Sequence, residues 1–509
     1  MIAKTYSAIP SGFDGKLVEV EGDINKGLPA FNIVGMASKT VNEAKERVRS
    51  AVVNSGFCFP AKKMTINLAP AELQKDGAFL DLSIALTVLI LSGHLLESDT
   101  DNKLFVGELS LDGEIRPVRG IINIVEVAKA AGFRSIFVPT KNLPQASLVS
   151  DIEIRGVESL RELYLVLKGQ LEPRGANDKQ VMSGSKNHLQ NNVILDHIRG
   201  QRLAKRAVQI AIAGHHNMII SGPPGAGKTL IAKAASNLLP ELVPSEVIEI
   251  TKLSSIAGLS VDEIVRERPF RSPHHTASPV SIIGGGKEAR PGEISLAHKG
   301  VLFLDEIAEF PRSVLEALRQ PLEDRQITIS RANQKTVYPS DFMLIGTMNP
   351  CPCGYLGDPT HECKCSATQI QNYQKRLSGP LLDRVDLFVE IERVENKDLR
   401  SATKSVGTGS EHNVVRKTIT GAIDRQAARY KKRGVYNGSL SSFDVTRLIP
   451  LRADSEALLE QASKKLNLSA RAYFKTIKVA RTIADLDQSD AVLPAHLAEA
   501  LIYRKKSLP

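Results

Sequence analysis

Tryptophan is missing altogether, aromatic residues fill only 5% of the 509 positions, and cysteine is scarce, with five. An odd, sparse cysteine count excludes a small disulfide-stapled secreted scaffold. Long apolar runs are missing too. The most apolar stretch, residues 82–91, is about half the roughly 20 residues a bilayer-spanning helix needs, and reads as a buried helix. The opening residues Met1, Ile2, Ala3 and Lys4 carry neither the apolar core nor the cleavage site of a secretion signal. The expectation is a cytoplasmic protein with no membrane partner.

Acidic charge is short in one region only. Lys plus Arg outnumber Asp plus Glu by 66 to 56 over the whole chain, a net charge of +10, but by 18 to 9 from Asn413 onward. A basic end on a near-neutral body fits either a polyanionic partner, most simply nucleic acid, or a solvated basic face.

What is present is enough for several domains. Hydrophobic residues make up 42% and charged residues 24%, and the length exceeds one core. Residues 1–168 alternate strand-like and helical runs, an α/β domain. Residues 169–194 turn polar and read as a linker. Residues 195–395 carry short, wholly apolar strands between helices, the pattern of a parallel sheet. Residues 413–509 show helical period with few strand signals, an all-α lid.

The strongest chemical signal opens the second of these regions. Gly222, Pro223, Pro224, Gly225, Ala226, Gly227, Lys228 and Thr229 follow a predicted strand and precede a predicted helix that begins at Leu230. That is the order a phosphate-binding loop requires. Its glycines let backbone N–H groups turn toward phosphates, and the helix N-terminus adds its dipole. Lys228 is expected to reach the β- and γ-phosphates of ATP, and Thr229 to hold Mg²⁺. Downstream, the apolar strand 301–304 ends in Asp305 and Glu306. One carboxylate there can order the Mg²⁺ shell and the next can polarise water. A strand over 342–346 leads to Asn349, which can position the same water. Arg384 lies among acids before a strand and reads either as an arginine finger or as a plain ion-pair residue. Arg471, on a lid helix, is expected to reach the γ-phosphate from above.

Four cysteines fall close together at Cys351, Cys353, Cys363 and Cys365. Two close pairs across a loop can supply the four ligands of a structural zinc. The plain alternative is four reduced thiols.

These segments together resemble a known family. His197 to Gln201, Arg268 to Thr276, and Asn349 to Gly354 are similar to the magnesium-chelatase-like AAA+ ATPases. Within that group, essentially the whole chain resembles the ComM/YifB family. The resemblance implies a Lon-protease-like N-terminal domain joined to a P-loop AAA+ module and an all-α lid. It implies a hexameric, ATP-driven translocase that acts on single-stranded and branched DNA. Such a motor promotes branch migration when incoming DNA is recombined during natural transformation, with recombination proteins as partners. By the same resemblance Lys228 and Thr229 are the Walker A pair, Asp305 and Glu306 the Walker B pair, and Asn349 the first sensor. Arg384 becomes a finger acting on the neighbouring subunit, and Arg471 the second sensor. The 77 residues from Lys228 to Asp305 exceed the roughly 30 of a minimal βαβ unit, so an insert is expected. Residues 282–290 and 326–337 read as two hairpins facing a pore, with Lys287, Arg290, Arg331 and Lys335 on DNA phosphates.

The N-terminal resemblance is broken at its chemistry. Phe79 stands where a Lon-type protease has its serine, and Ile122 where it has its lysine. Proteolysis by that dyad is excluded. The rival reading is a magnesium chelatase subunit that drives metal into a porphyrin; the basic C-terminal region and the fused N-terminal domain favour DNA.

Overall fold

The computed structural model describes residues 2–35, 39–73, 75, 78–175, 193–286, 289–331, 334–358, 361–393 and 410–504. The expected linker falls mostly outside these residues.

The N-terminal region is built on the helix Asp81–Leu91, whose residues are all buried. A helix apolar on every side must be enclosed. One enclosing sheet runs in the order Ile2–Ser11, Asp14–Asn25, Lys63–Ala69, Ala30–Val34. A second sheet runs Arg174–Gly175, Glu153–Val157, Ser135–Pro139, Lys103–Phe105. Strand Lys63–Ala69 alternates inward Met64, Ile66 and Leu68 with outward neighbours, so one face is sealed. Asp81 is buried at the helix start, and Arg47 answers it at 2.9 Å.

The second region carries a five-stranded, wholly parallel sheet in the order Phe270–Arg271, Val301–Leu304, Met343–Met348, Met218–Ser221, Leu387–Glu390. Its strands read as continuous apolar runs because both faces are covered. Met218, Ile220, Val301, Phe303, Met343 and Ile345 point into one core. Ile219, Leu302, Leu304 and Leu344 point into the other. The first core is shared with the C-terminal helices through Ile477, Val479, Ile483, Leu497 and Tyr503. The second lies beneath two hairpins, Gly284–Gly285 with Arg290–Pro291 and Gln326–Arg331 with Gln334–Pro339.

The N-terminal region is docked on the sheet-bearing region. Lys252, on the helix Pro244–Ala257, meets Glu126 at 2.5 Å and lies 4.3 Å above the ring of Phe13. Gly120 donates its N–H to Ser255 at 2.9 Å, and the Asn142 amide donates to the Val261 carbonyl at 2.7 Å. The turn at Gly12 is so close to the second hairpin that a Cβ there would fall 2.4 Å from Thr336 Cγ2. Among the described residues no helix is long and apolar enough to cross a membrane.

Candidate functional site

The glycine-rich loop lies at the carboxyl end of the strand Met218–Ser221, and the helix Lys228–Ser236 begins on Lys228 itself. That start is two residues earlier than the sequence suggests, because Gly227 in the left-handed region (φ 89°) turns the chain straight into the helix. Gly225 (φ 77°) and Gly227 have nothing within 4 Å of where a Cβ would stand. The loop therefore walls an open cradle lined by backbone, which suits a phosphate chain. Lys228 Nζ donates to the carbonyls of Gly222 and Pro223, at 2.5 and 3.2 Å, and to Asn349 Oδ1 at 2.8 Å. Burial lowers the pKa of this ammonium.

The carboxylates meet the loop as the spacing implies. Thr229 Oγ1 donates to Asp305 Oδ2 at 3.2 Å, joining the two oxygen donors suited to Mg²⁺. Glu306 is exposed beside Asp305 and holds a left-handed backbone (φ 52°), a conformation costing about 1–3 kcal/mol for a residue other than glycine. Thr347 accounts for it. Its hydroxyl donates to Asp305 and accepts the Glu306 N–H at 3.0 Å, so one side chain orients both acids. Sequence reading overlooked Thr347, a hydroxyl in the apolar strand Met343–Met348. Lys228, Thr229, Asp305, Glu306 and Asn349 are thus brought into one site. Their oxygen donors and open cradle fit Mg²⁺ and a nucleotide polyphosphate.

The two arginines stand elsewhere. Arg384 follows the short helix Gly379–Leu382, and its carbonyl accepts from the Asn217 amide at 3.2 Å, at the amino end of the sheet. The loop is at the opposite end, beyond a four-residue strand of about 13 Å at ~3.3 Å per residue. Arg384 ion-pairs with Glu323, and Arg471 reaches the same carboxylate at 2.9 Å. In this conformation Arg471 therefore shares the edge of Arg384 and does not lie over its own phosphate loop. Glu323, unsuspected from sequence, is what unites them.

Beside that pair, Asp386 joins three parts of the molecule. It takes Lys475 of the helix Ala470–Leu486 at 2.8 Å and the Asn217 N–H at 3.0 Å, with His216 at 3.6 Å. Burial opposes its charge, but Lys475 and His216 overcome this and hold its pKa well below the usual carboxylate range. His215 lines a small polar cleft with Asn217, Asp341 and Asp386, stacks on Tyr436 at 5.3 Å, and is pushed down to about 4 by burial.

Of the four residues expected on DNA, Lys287 lies outside the described residues, as does the side chain of Arg331. Arg290 and Lys335 are exposed on the two hairpins. Those hairpins are bonded to each other: Tyr338, buried, donates its hydroxyl to the Ala289 carbonyl at 2.9 Å. Burial raises that phenol to about 12, so it keeps its proton. The four cysteines converge as well. Cys351, Cys353, Cys363 and Cys365 bring their sulfurs within 4.8 Å of one another, none of them in a disulfide. Phe79 and Ile122 are buried in the N-terminal core, and the Ser83 hydroxyl is spent on the carbonyls of Tyr6 and Phe105.

Comparison with known proteins matches three stretches of the chain. Residues 194–399 match the family described as magnesium chelatase, subunit ChlI. Residues 20–142 match subunit ChlI of Mg-chelatase, and residues 409–504 match the ChlI C-terminal family. The competence protein ComM of Haemophilus influenzae is 42% identical over 505 residues, covering 99% of this chain and 97% of that protein. YifB of Escherichia coli is 41% identical, covering 99% and 96%. The magnesium-chelatase 67 kDa subunit of Chlorobaculum parvum is 26% identical over 157 residues, 30% of this chain and 23% of that subunit.

Proposed function

Because the chain belongs to the ComM/YifB family of magnesium-chelatase-like AAA+ proteins, we propose that it is a cytoplasmic ATP-hydrolysing motor that moves DNA. It works as a ring, most simply a hexamer, and drives branch migration when incoming single-stranded DNA is recombined in natural transformation. Bound Mg²⁺–ATP supplies a polarised γ-phosphoryl group. Thr229 and Asp305 are the residues suited to hold the metal, Lys228 to neutralise phosphate charge, and Glu306 to take a proton from water. Thr347 and Asn349 keep these groups in register. Arg384 and Arg471, on the opposite edge of the sheet, would serve a neighbour's phosphates, which makes a closed ring the natural assembly.

The observation that carries the DNA reading is the bonded pair of hairpins with exposed Arg290 and Lys335. Backbone phosphates bind such cations without regard to sequence. The competence role comes from the name of the Haemophilus relative and the near-full coverage of both chains. The test is ATP turnover of the purified protein with single-stranded DNA, a branched junction, or a porphyrin with Mg²⁺. Stimulation by DNA and ATP-dependent junction movement, both abolished in Lys228→Ala, are expected. Turnover that answers to porphyrin and ignores DNA would overturn the reading and favour the chelatase reading, which rests on the family descriptions and the Chlorobaculum subunit.

A further inference from the structure

The four cysteines lie in the loop that leaves the strand Met343–Met348 and ends at Ser366, the cap of the helix Ala367–Gln374. Their sulfurs are separated by 3.4 Å (Cys351 to Cys353), 3.7 Å (Cys351 to Cys363) and 3.6 Å (Cys353 to Cys363). Disulfide sulfurs would be about 2.0 Å apart. Four sulfurs placed tetrahedrally about a zinc ion at ~2.3 Å are separated by about 3.8 Å. The three spacings among Cys351, Cys353 and Cys363 are close to such an edge, and the Cys365 sulfur lies within 4.8 Å of each. Cys351 is fully buried and the other three are half-buried.

The loop also touches the nucleotide site at two points. Asn349, two residues before Cys351, accepts from Lys228 at 2.8 Å. Gly354, one residue after Cys353, has φ 85°, and a Cβ there would fall 2.8 Å from Cδ of Pro224. The cysteine pair Cys351–Cys353 is thereby clasped between the Lys228 partner and the phosphate loop itself. The far end is tied back by Gln374, whose amide donates to the Pro350 carbonyl at 3.2 Å.

We propose that Cys351, Cys353, Cys363 and Cys365 bind one Zn²⁺ as thiolates, and that this site braces the phosphate loop by pinning Asn349 and Gly354 against Lys228 and Pro224. Binding displaces a proton from each thiol and leaves a tetrahedral tetrathiolate with no open position, so the metal is structural and takes no part in the reaction. Without it, the loop from Cys351 to Cys365 is left with weak ties, among them the Tyr355–His361 ring stack at 4.8 Å and the His361 N–H donated to Asp358 at 3.1 Å. Small displacements of Asn349 are then enough to slow the chemistry. The bracing half rests on the proposed ATPase reading; the metal half does not.

The test uses the full chain purified without added metal under reducing conditions. One zinc per chain is expected by elemental analysis, and replacement by Co²⁺ is expected to give the intense thiolate-to-cobalt absorption of a tetrahedral sulfur site. Cys363→Ser with Cys365→Ser should lose the metal. Less than a fifth of a zinc per chain with no cobalt spectrum overturns the site. Stripping zinc with a chelator, dialysing, and assaying in excess Mg²⁺ should lower kcat roughly ten- to a hundredfold. Returning zinc should restore it. Gly354→Ala, which keeps every ligand, should hold zinc but lose turnover, so misfolding of the cysteine variant cannot decide the matter. Full zinc occupancy with kcat indifferent to its removal overturns the brace. A wild-type protein that binds zinc but hydrolyses no ATP, with or without DNA, defeats the ATPase reading and leaves the metal site standing.

Discussion

At the residue scale the site depends on small groups that pattern reading passes over. Thr347 holds Asp305 by its O–H and Glu306 by its oxygen, and so balances a left-handed glutamate against a strand end. Thr347→Val keeps the shape and removes both bonds. A hydrogen bond to a charged group is worth about 1.5–3 kcal/mol, so kcat for ATP should fall roughly ten- to a hundredfold, with nucleotide affinity little changed. Equal activity in the two proteins would refute that role. His215 gives a second prediction. Its folded pKa of about 4 lies below the ordinary 6.5, so between these values the unfolded chain binds a proton the folded one refuses. Stability therefore falls as pH drops from about 6.5 to 4, with a slope approaching about 1.4 kcal/mol per unit. His215→Asn tolerates the same left-handed backbone (φ 55°) and should flatten the pH dependence of the melting temperature in that window. Lys228, Thr229, Asp305 and Glu306 could be read from sequence because their chemistry needs fixed spacing along the chain. Thr347 and Glu323 could not, since each acts across 41 or more residues and neither has a local pattern.

At the scale of elements, apolar period was a sound guide wherever both sides of a strand are covered. The strands Val301–Leu304 and Ser135–Pro139 are wholly buried and lie where their apolar runs put them. Ends were less legible. The strand expected over 342–346 is Met343–Met348, because the parallel ladder with Met218–Ser221 continues through Thr347 and Met348. The two hairpins were visible as strand, polar turn and strand, but not the bond between Tyr338 and Ala289 that makes them one unit. Lys335→Ala removes one exposed cation from that unit. Affinity for single-stranded DNA should weaken similarly for all sequences, and the slope of log affinity against log salt should shrink by roughly 0.7 to 1. A slope identical to the parent would remove Lys335 from the DNA contact set.

At the scale of the whole molecule the arginine pair is the decisive placement. Glu323 and Arg471 are about half-exposed, so their ion pair is weak, about 0–1 kcal/mol, and can give way to a phosphate. Mixing Arg384→Ala with Glu306→Gln subunits should restore part of the ATPase that each lacks alone, because some interfaces then carry both intact groups. No recovery at any ratio would leave Arg384 as a structural residue. Sequence could name Arg384 and Arg471 but not their shared edge, which only the folding of helix Arg319–Asp324 beneath the sheet creates.

The opposed edges of that sheet carry a kinetic consequence. If the proposed ring is right, a chain with its cradle at one end and its arginines at the other would be half an enzyme in isolation, able to hold nucleotide but poorly equipped to spend it. Turnover per chain would then climb steeply with protein concentration and level off once neighbours are in place. Dilution itself would become the off state, and ATP would be consumed only where enough copies had gathered to act.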